Sequence, residues 1–187
     1  MIIGVPDGSE EAAKVSNDAH PCTTRTTSYS TLLEAGLRCR LWDTQGLNEA
    51  AGNDRGFMTK LADKIRQLAS YQARELKETL RDRTKVSIPI LMWCIDATKI
   101  DVPVHWQQFH KVYAEYCGKK AIPVVVITRG SPAAAGWETK CTGQLRSLDL
   151  GVDVPFRMVR RYRGPSSQEY REDSKALKDL ISELTKR

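Results

Sequence analysis

Two apolar, β-branched runs constrain this chain more than any other feature of its sequence. Ile88–Ala97 contains Ile-Pro-Ile-Leu-Met-Trp-Cys-Ile, and Ala121–Thr128 reads Ala-Ile-Pro-Val-Val-Val-Ile-Thr. Neither run alternates apolar with polar residues, so each predicts a strand covered on both faces, as strands of parallel sheets are. Pro89 is tolerated near the start of the first, where the ladder loses little. Between the runs, Val104–Tyr116 places Trp106, Phe109, Val112, Tyr113 and Tyr116 along one helical side, with Gly118 as a stop. Strand, helix and strand in this order predict a parallel βαβ unit.

The same alternation continues in both directions. Thr26–Leu33 and Leu37–Asp43 are β-rich and separated by Glu34-Ala35-Gly36, a spacing suited to a hairpin. Arg55–Leu80 repeats Met58, Leu61, Ile65, Leu68, Tyr71, Leu76 and Leu80 as a long amphipathic helix would. Trp137–Leu148 predicts a helix, Val154–Val159 a strand, and Ser167–Leu184 a closing helix with Tyr170, Leu177, Leu180, Ile181 and Leu184 as its apolar stripe. At the start, Met1–Val5 reads as a short strand ended by Pro6-Asp7-Gly8, and Gly8–Val15 as a brief helix. The expected fold is α/β, a three-layer, mainly parallel sheet with helices on both faces, in one domain that 187 residues suit. Sheets of this kind bind ligands beyond the carboxyl ends of their strands. The loops after Val5, Trp42, Ile95, Ile127 and Val159 are therefore the places to look for chemistry.

Several function classes recede on composition and spacing. The net charge of +6 owes much to Arg157, Arg160, Arg161 and Arg163, interleaved with Phe156 and Tyr162. In a strand that alternation mixes aromatic and basic residues across faces, so it reads as a solvated edge rather than a nucleic-acid stripe. Five cysteines, Cys22, Cys39, Cys94, Cys117 and Cys141, are odd in number and lack a C-x-x-C pair, as expected of reduced thiols in a cytoplasmic protein. Cys39 and Cys94 lie in apolar strand patterns and are expected to be small buried hydrophobes. His105 and His110 are not at the i, i+4 spacing of zinc-binding pairs, and His20 has no partner in sequence. Trp93, Trp106 and Trp137 read as packing residues. Met1–Val5 is too short for a secretory signal, and no run reaches the ~18 apolar residues of a membrane span.

One loop carries a sharper pattern. In Leu41-Trp42-Asp43-Thr44-Gln45-Gly46-Leu47, an acid ends a strand and a glycine follows three residues later. A carboxylate so placed can hold Mg²⁺ through water, and the glycine N–H can meet a terminal phosphate. The bland alternative is a capped turn, with Asp43 and Gly46 serving the backbone alone.

The order of elements, the Pro21-Cys22-Thr23 loop before the hairpin, the Leu-Trp-Asp-Thr-Gln-Gly-Leu-Asn-Glu stretch and the Cys-Ile-Asp-Ala-Thr-Lys-Ile strand end resemble the P-loop GTPases. Within them the chain is most similar to fungal G-domain proteins related to septin and immunity-associated GTPases, from roughly Ala13 to the final helix. The resemblance implies one G-domain-like unit over residues 1–187, incomplete at its N-terminus relative to the family. It implies Thr23, with Thr24 as a neighbouring candidate, as the switch-one threonine over Mg²⁺ and the γ-phosphate, beside Asp43 at the metal and Gly46 at the phosphate. It also implies a base-reading segment at Thr128-Arg129-Gly130-Ser131. There Thr128 fits, Arg129 can lay its stem and guanidinium along a base plane, and the Asp that pairs with guanine N1–H is missing. A strand-end turn with a solvated Arg is the competing reading. Gln45 precedes the glycine, and Leu47 fills the place of a water-positioning Gln, so no catalytic residue is assigned. Septin-like relatives pair across their nucleotide faces, which makes a homodimer or another protein the expected partner.

The chain departs from the family at its start. A phosphate-binding loop requires G-x-x-x-x-G-K-[ST], whereas here Gly4-Val5-Pro6-Asp7-Gly8-Ser9-Glu10-Glu11 offers no Lys, loses a donor at Pro6 and sets three acids against phosphate. The primary expectation is a GTP-binding protein, weak or inactive in hydrolysis, taking GTP or GDP with Mg²⁺. The alternative is a nucleotide-free pseudo-GTPase that serves as a protein interaction module.

Overall fold

The computed structural model describes residues 27–32, 38–44, 59, 61–67, 89–131, 136–160 and 167–186. In chain order the elements are β1 (Thr27–Leu32), β2 (Arg38–Asp43), β3 (Ile90–Asp96), α1 (Pro103–Lys111), β4 (Ile122–Gly130), α2 (Trp137–Ser147), β5 (Phe156–Arg160) and α3 (Gln168–Leu184). They fall into two compact units, residues 62–162 and residues 1–61 together with 163–187. The expected strand at Met1–Val5 and helix at Gly8–Val15 lie outside the described residues. Of the expected helix Arg55–Leu80, residues 59 and 61–67 are described and helical.

Residues 62–162 form an α/β arrangement whose three parallel strands run in the order β3-β4-β5. Ile90 stands opposite Ile122 and Asp96 opposite Thr128, while Val125 of β4 faces Phe156 of β5. Helix α1 carries the chain from β3 to β4, and α2 from β4 to β5. The continuous apolar run takes the central place that it demands. Val124, Val125 and Ile127 expose nothing and Val126 only 3%, each contributing about 1.5–3 kcal/mol through lost contact with water.

Helix α1 opens with Pro103 at a position where the missing N–H costs no helical bond. It buries Trp106 and Phe109, and the next turn, Val112–Tyr116, widens to π geometry while burying Val112 and Tyr113. The Phe109 ring lies 5.7 Å from Trp93 of β3 and 6.4 Å from Tyr113. Gly118, at φ 56°, ends the helix as expected, and the Lys119 N–H reaches back to the Tyr113 carbonyl at 3.0 Å. Before α1, the Trp106 Nε1–H donates to the Ile100 carbonyl at 2.7 Å, so a buried ring fixes the turn that leaves β3. On α2, Cys141 is fully buried, and that burial pushes its thiol up to about 12.

Cys94 departs from expectation. It is exposed rather than buried, because the strand's pleat turns Trp93 and Ile95 to the covered face and Cys94 to the opposite one. Cys39 is half-buried, which raises its thiol pKa. Cys39, Cys117 and Cys141 are free thiols.

In the other unit, β1 and β2 form the expected hairpin, antiparallel from Thr27 opposite Asp43 to Leu32 opposite Arg38. Trp42 is expected to close a strand of the main sheet. Instead, among the described residues, β2 pairs with β1 in a two-stranded sheet. Helix α3 starts where predicted, with the Ser167 hydroxyl accepting the Tyr170 N–H at 3.2 Å. Leu177, Leu180, Ile181 and Leu184 of its stripe are buried, and Tyr170 is half-buried. No helix among the described residues is long and apolar enough to cross a membrane.

The Trp106 hydrogen bond gives a direct test of the core. Trp106→Phe keeps an aromatic ring but leaves the Ile100 carbonyl without its donor, which should cost about 1–3 kcal/mol. The shift in urea midpoint measures it. Lys140→Ala, which removes an exposed ion pair to Asp101, should scarcely move that midpoint.

Candidate functional site

At the carboxyl edge of the parallel sheet, the ends of β3 and β4 build a small polar cluster. Asp96 closes β3, and its Oδ1 accepts the Thr98 N–H at 2.8 Å and the Thr98 hydroxyl at 2.7 Å. The Asp-x-Thr order supplies this cap from three consecutive residues, as short polar side chains at turns do. The other carboxylate oxygen forms an ion pair with Nη2 of Arg129. Next to it, the Thr128 hydroxyl donates to the Ile95 carbonyl at 3.3 Å, so this side chain ties β4 back to β3.

Arg129 reaches Asp96 through an irregular backbone. Between Ile127 and Gly130 of β4 there are two intervening residues, whereas between their partners Met158 and Arg160 of β5 there is one. The additional residue is a bulge, and Arg129 within it has a left-handed φ of 57°. Bulges re-aim side chains, and a non-glycine residue in this conformation costs about 1–2 kcal/mol. Gly130 is part of the same device. A Cβ there would overlap Sδ, Cγ and Cε of Met158, so a residue without a side chain is what lets β5 close against the bulge.

The electrostatics of the cluster are set by depth. The Asp96 side chain is 11% exposed and that of Arg129 67%. Burial pushes the Asp96 carboxyl up, but the Thr98 hydroxyl and amide and the Arg129 guanidinium together outweigh it and hold the carboxyl below its ordinary value of 3.8. On α1, burial and the charge of Lys99 lower the pKa of His105. Asp101 is engaged with Lys140 at 2.6 Å.

Of the expected site residues, Thr128 and Arg129 therefore stand together, on the end of the central strand. Asp43 ends β2 as expected, half-buried, in the other compact unit. Thr23 and Gly46 lie outside the described residues. In sequence Asp96 offers either a cleft-lining carboxylate after the buried strand or an ordinary strand-to-helix turn residue, and neither reading names it as the partner of Arg129. A signal existed, because aligning the two apolar runs in parallel register sets Asp96 beside Thr128. Nothing in the sequence announces the bulge except Gly130.

No protein-family model matches the chain, and neither a curated protein nor a solved structure does.

The Asp96 contribution should depend on pH with a definite sign. A carboxyl whose folded pKa is depressed stabilises the fold above its unfolded value, and that stability is lost as pH falls through the folded value. Wild type should therefore lose more thermal stability than Asp96→Asn when taken from neutral pH to below 3.8. At neutral pH the variant should be less stable by about 1–2 kcal/mol. Parallel melting curves over this range would show Asp96 to be uncoupled from the fold.

Proposed function

We propose that this chain is a guanine-nucleotide-binding protein of the G-domain kind, three-layered in architecture, working in the cytoplasm and slow or inactive in hydrolysis. The observation that carries the reading is the position of Asp43 as the last residue of β2, with Thr44-Gln45-Gly46 leaving the strand as a metal-and-phosphate loop would. Support comes also from Thr128 and Arg129 at the carboxyl edge of a central parallel strand, the kind of edge at which α/β sheets hold nucleotides. Slow hydrolysis follows from Gly4–Glu11, which has no Lys to reach the β- and γ-phosphates and sets Asp7, Glu10 and Glu11 against them.

Mg²⁺ would enter with the nucleotide. No group of three or more His, Cys, Asp or Glu gathers among the described residues. A magnesium ion carried by phosphates needs only one or two protein oxygens, keeping water on its other positions. Asp43 and Thr23 are the residues that would supply them, and the ion would neutralise phosphate charge.

A second reading, the nucleotide-free pseudo-GTPase that holds a protein partner or a second copy of itself, has an observation of its own. A groove of about 510 Å³ is lined by Trp137, Glu138, Phe156, Arg157 and Met158 among others, with the Trp137 and Phe156 rings edge-on at 5.8 Å. Aromatic residues beside Arg are the composition of interface hot spots.

Titration with fluorescent GTP and GDP analogues in Mg²⁺ separates the two. The nucleotide reading expects saturable binding with Kd below about 100 µM, some 5.5 kcal/mol. Asp43→Ala should weaken it about ten-fold or more, about 1.4 kcal/mol, while leaving the melting temperature in place. Absence of saturation, with partner binding unaffected by Asp43→Ala, would favour the interaction module.

A further inference from the structure

We infer that Arg129 selects guanine by gripping the acceptor edge of the base, O6 together with N7, while Asp96 holds the guanidinium in place. This rests on the guanine-nucleotide reading above and names how the base is chosen. Thr128-Arg129-Gly130-Ser131 contains no carboxylate to pair with the N1–H and the 2-amino group. Guanine has a second recognisable edge, where two acceptors lie side by side and match the fork of an Arg, whereas adenine offers a donor in place of O6.

Arg129 meets the geometric requirements of such a reader. It is the penultimate residue of the central strand, at the carboxyl end, and two-thirds of its side chain is open to solvent. A guanidinium has five N–H donors. Asp96 meets it at Nη2, and a carboxylate that takes one of the five donors leaves a two-donor edge for a ligand. The anchor is itself held, since Asp96 is nearly buried and fastened twice by Thr98. The left-handed backbone at Arg129 would suit glycine better. An Arg at this place is thus accommodated against backbone preference, and its side chain is what the bulge presents. Asp96 acts through Arg129 and is a positioning residue.

Competition for a fluorescent GTP analogue on the full chain tests this with GTP, ITP, 7-deaza-GTP and ATP. ITP keeps O6 and N7 but lacks the 2-amino group, and should bind within about two-fold of GTP, whereas 7-deaza-GTP and ATP should each bind about ten-fold or more weaker. Arg129→Lys keeps the charge but loses the fork, and should erase the difference between GTP and 7-deaza-GTP. Asp96→Asn should shrink that difference, which a merely structural role, lowering stability alone, would leave intact. Equal binding of GTP and 7-deaza-GTP by wild type, with ITP weakened, would overturn the inference while leaving guanine binding standing. Failure of all four nucleotides to bind would remove the guanine reading and this inference with it. The wild-type comparison needs no variant to fold.

Discussion

Val124, Val125, Val126 and Ile127 are all withdrawn from water, and a strand can achieve this only when something apolar covers both of its faces and hydrogen-bonded neighbours occupy both of its edges. From that requirement much of residues 62–162 follows. Parallel neighbours require crossovers, and α1 and α2 supply them. The helix that returns the chain to β4 must then be apolar where it meets the sheet, which places Trp106, Phe109, Val112 and Tyr113 in the interior. The polar cluster is a by-product of the same pairing, because Asp96 and Thr128 are opposite each other only when the strands run in parallel in this register.

Two opposed preferences meet at the end of β4. The backbone of Arg129 sits in a region that L-residues avoid, and the charge of Asp96 is drawn out of water. Each strain is relieved by the other, since the bulge delivers a cation to a carboxylate that would otherwise be costly to bury. Thr98 shares the task by filling the lone pairs that Arg129 does not reach. The mutual dependence explains why a large basic residue occupies a conformation where glycine would be cheaper.

The strands and helices of residues 62–162 were largely legible in the sequence, because unbroken apolar runs and a 3.6-residue stripe admit few alternatives. The closing helix was legible for a different reason, its Ser167 cap and its four buried leucine and isoleucine positions agreeing on one boundary and one face. Sheet membership was not legible. Leu37–Asp43 reads as a strand whether it joins a hairpin or a larger sheet, and local pattern carries no information about which edge it takes. Cys94 shows a related limit, since an apolar neighbourhood in sequence does not reveal which face of its strand is covered. At the candidate site, Thr128 and Arg129 were identifiable from their place after a strand, but the partner of Arg129 depended on a contact 33 positions away in the chain and on a backbone irregularity that no local residue preference dictates.

The bulge also makes β4 a strand whose length is fixed independently of its chemistry. Deleting a single residue between Ile127 and Gly130 would leave one residue against the one between Met158 and Arg160, removing the bulge and with it the backbone that aims Arg129. A change in residue number here therefore costs more than one side chain, and at Gly130 even a single added Cβ meets Met158.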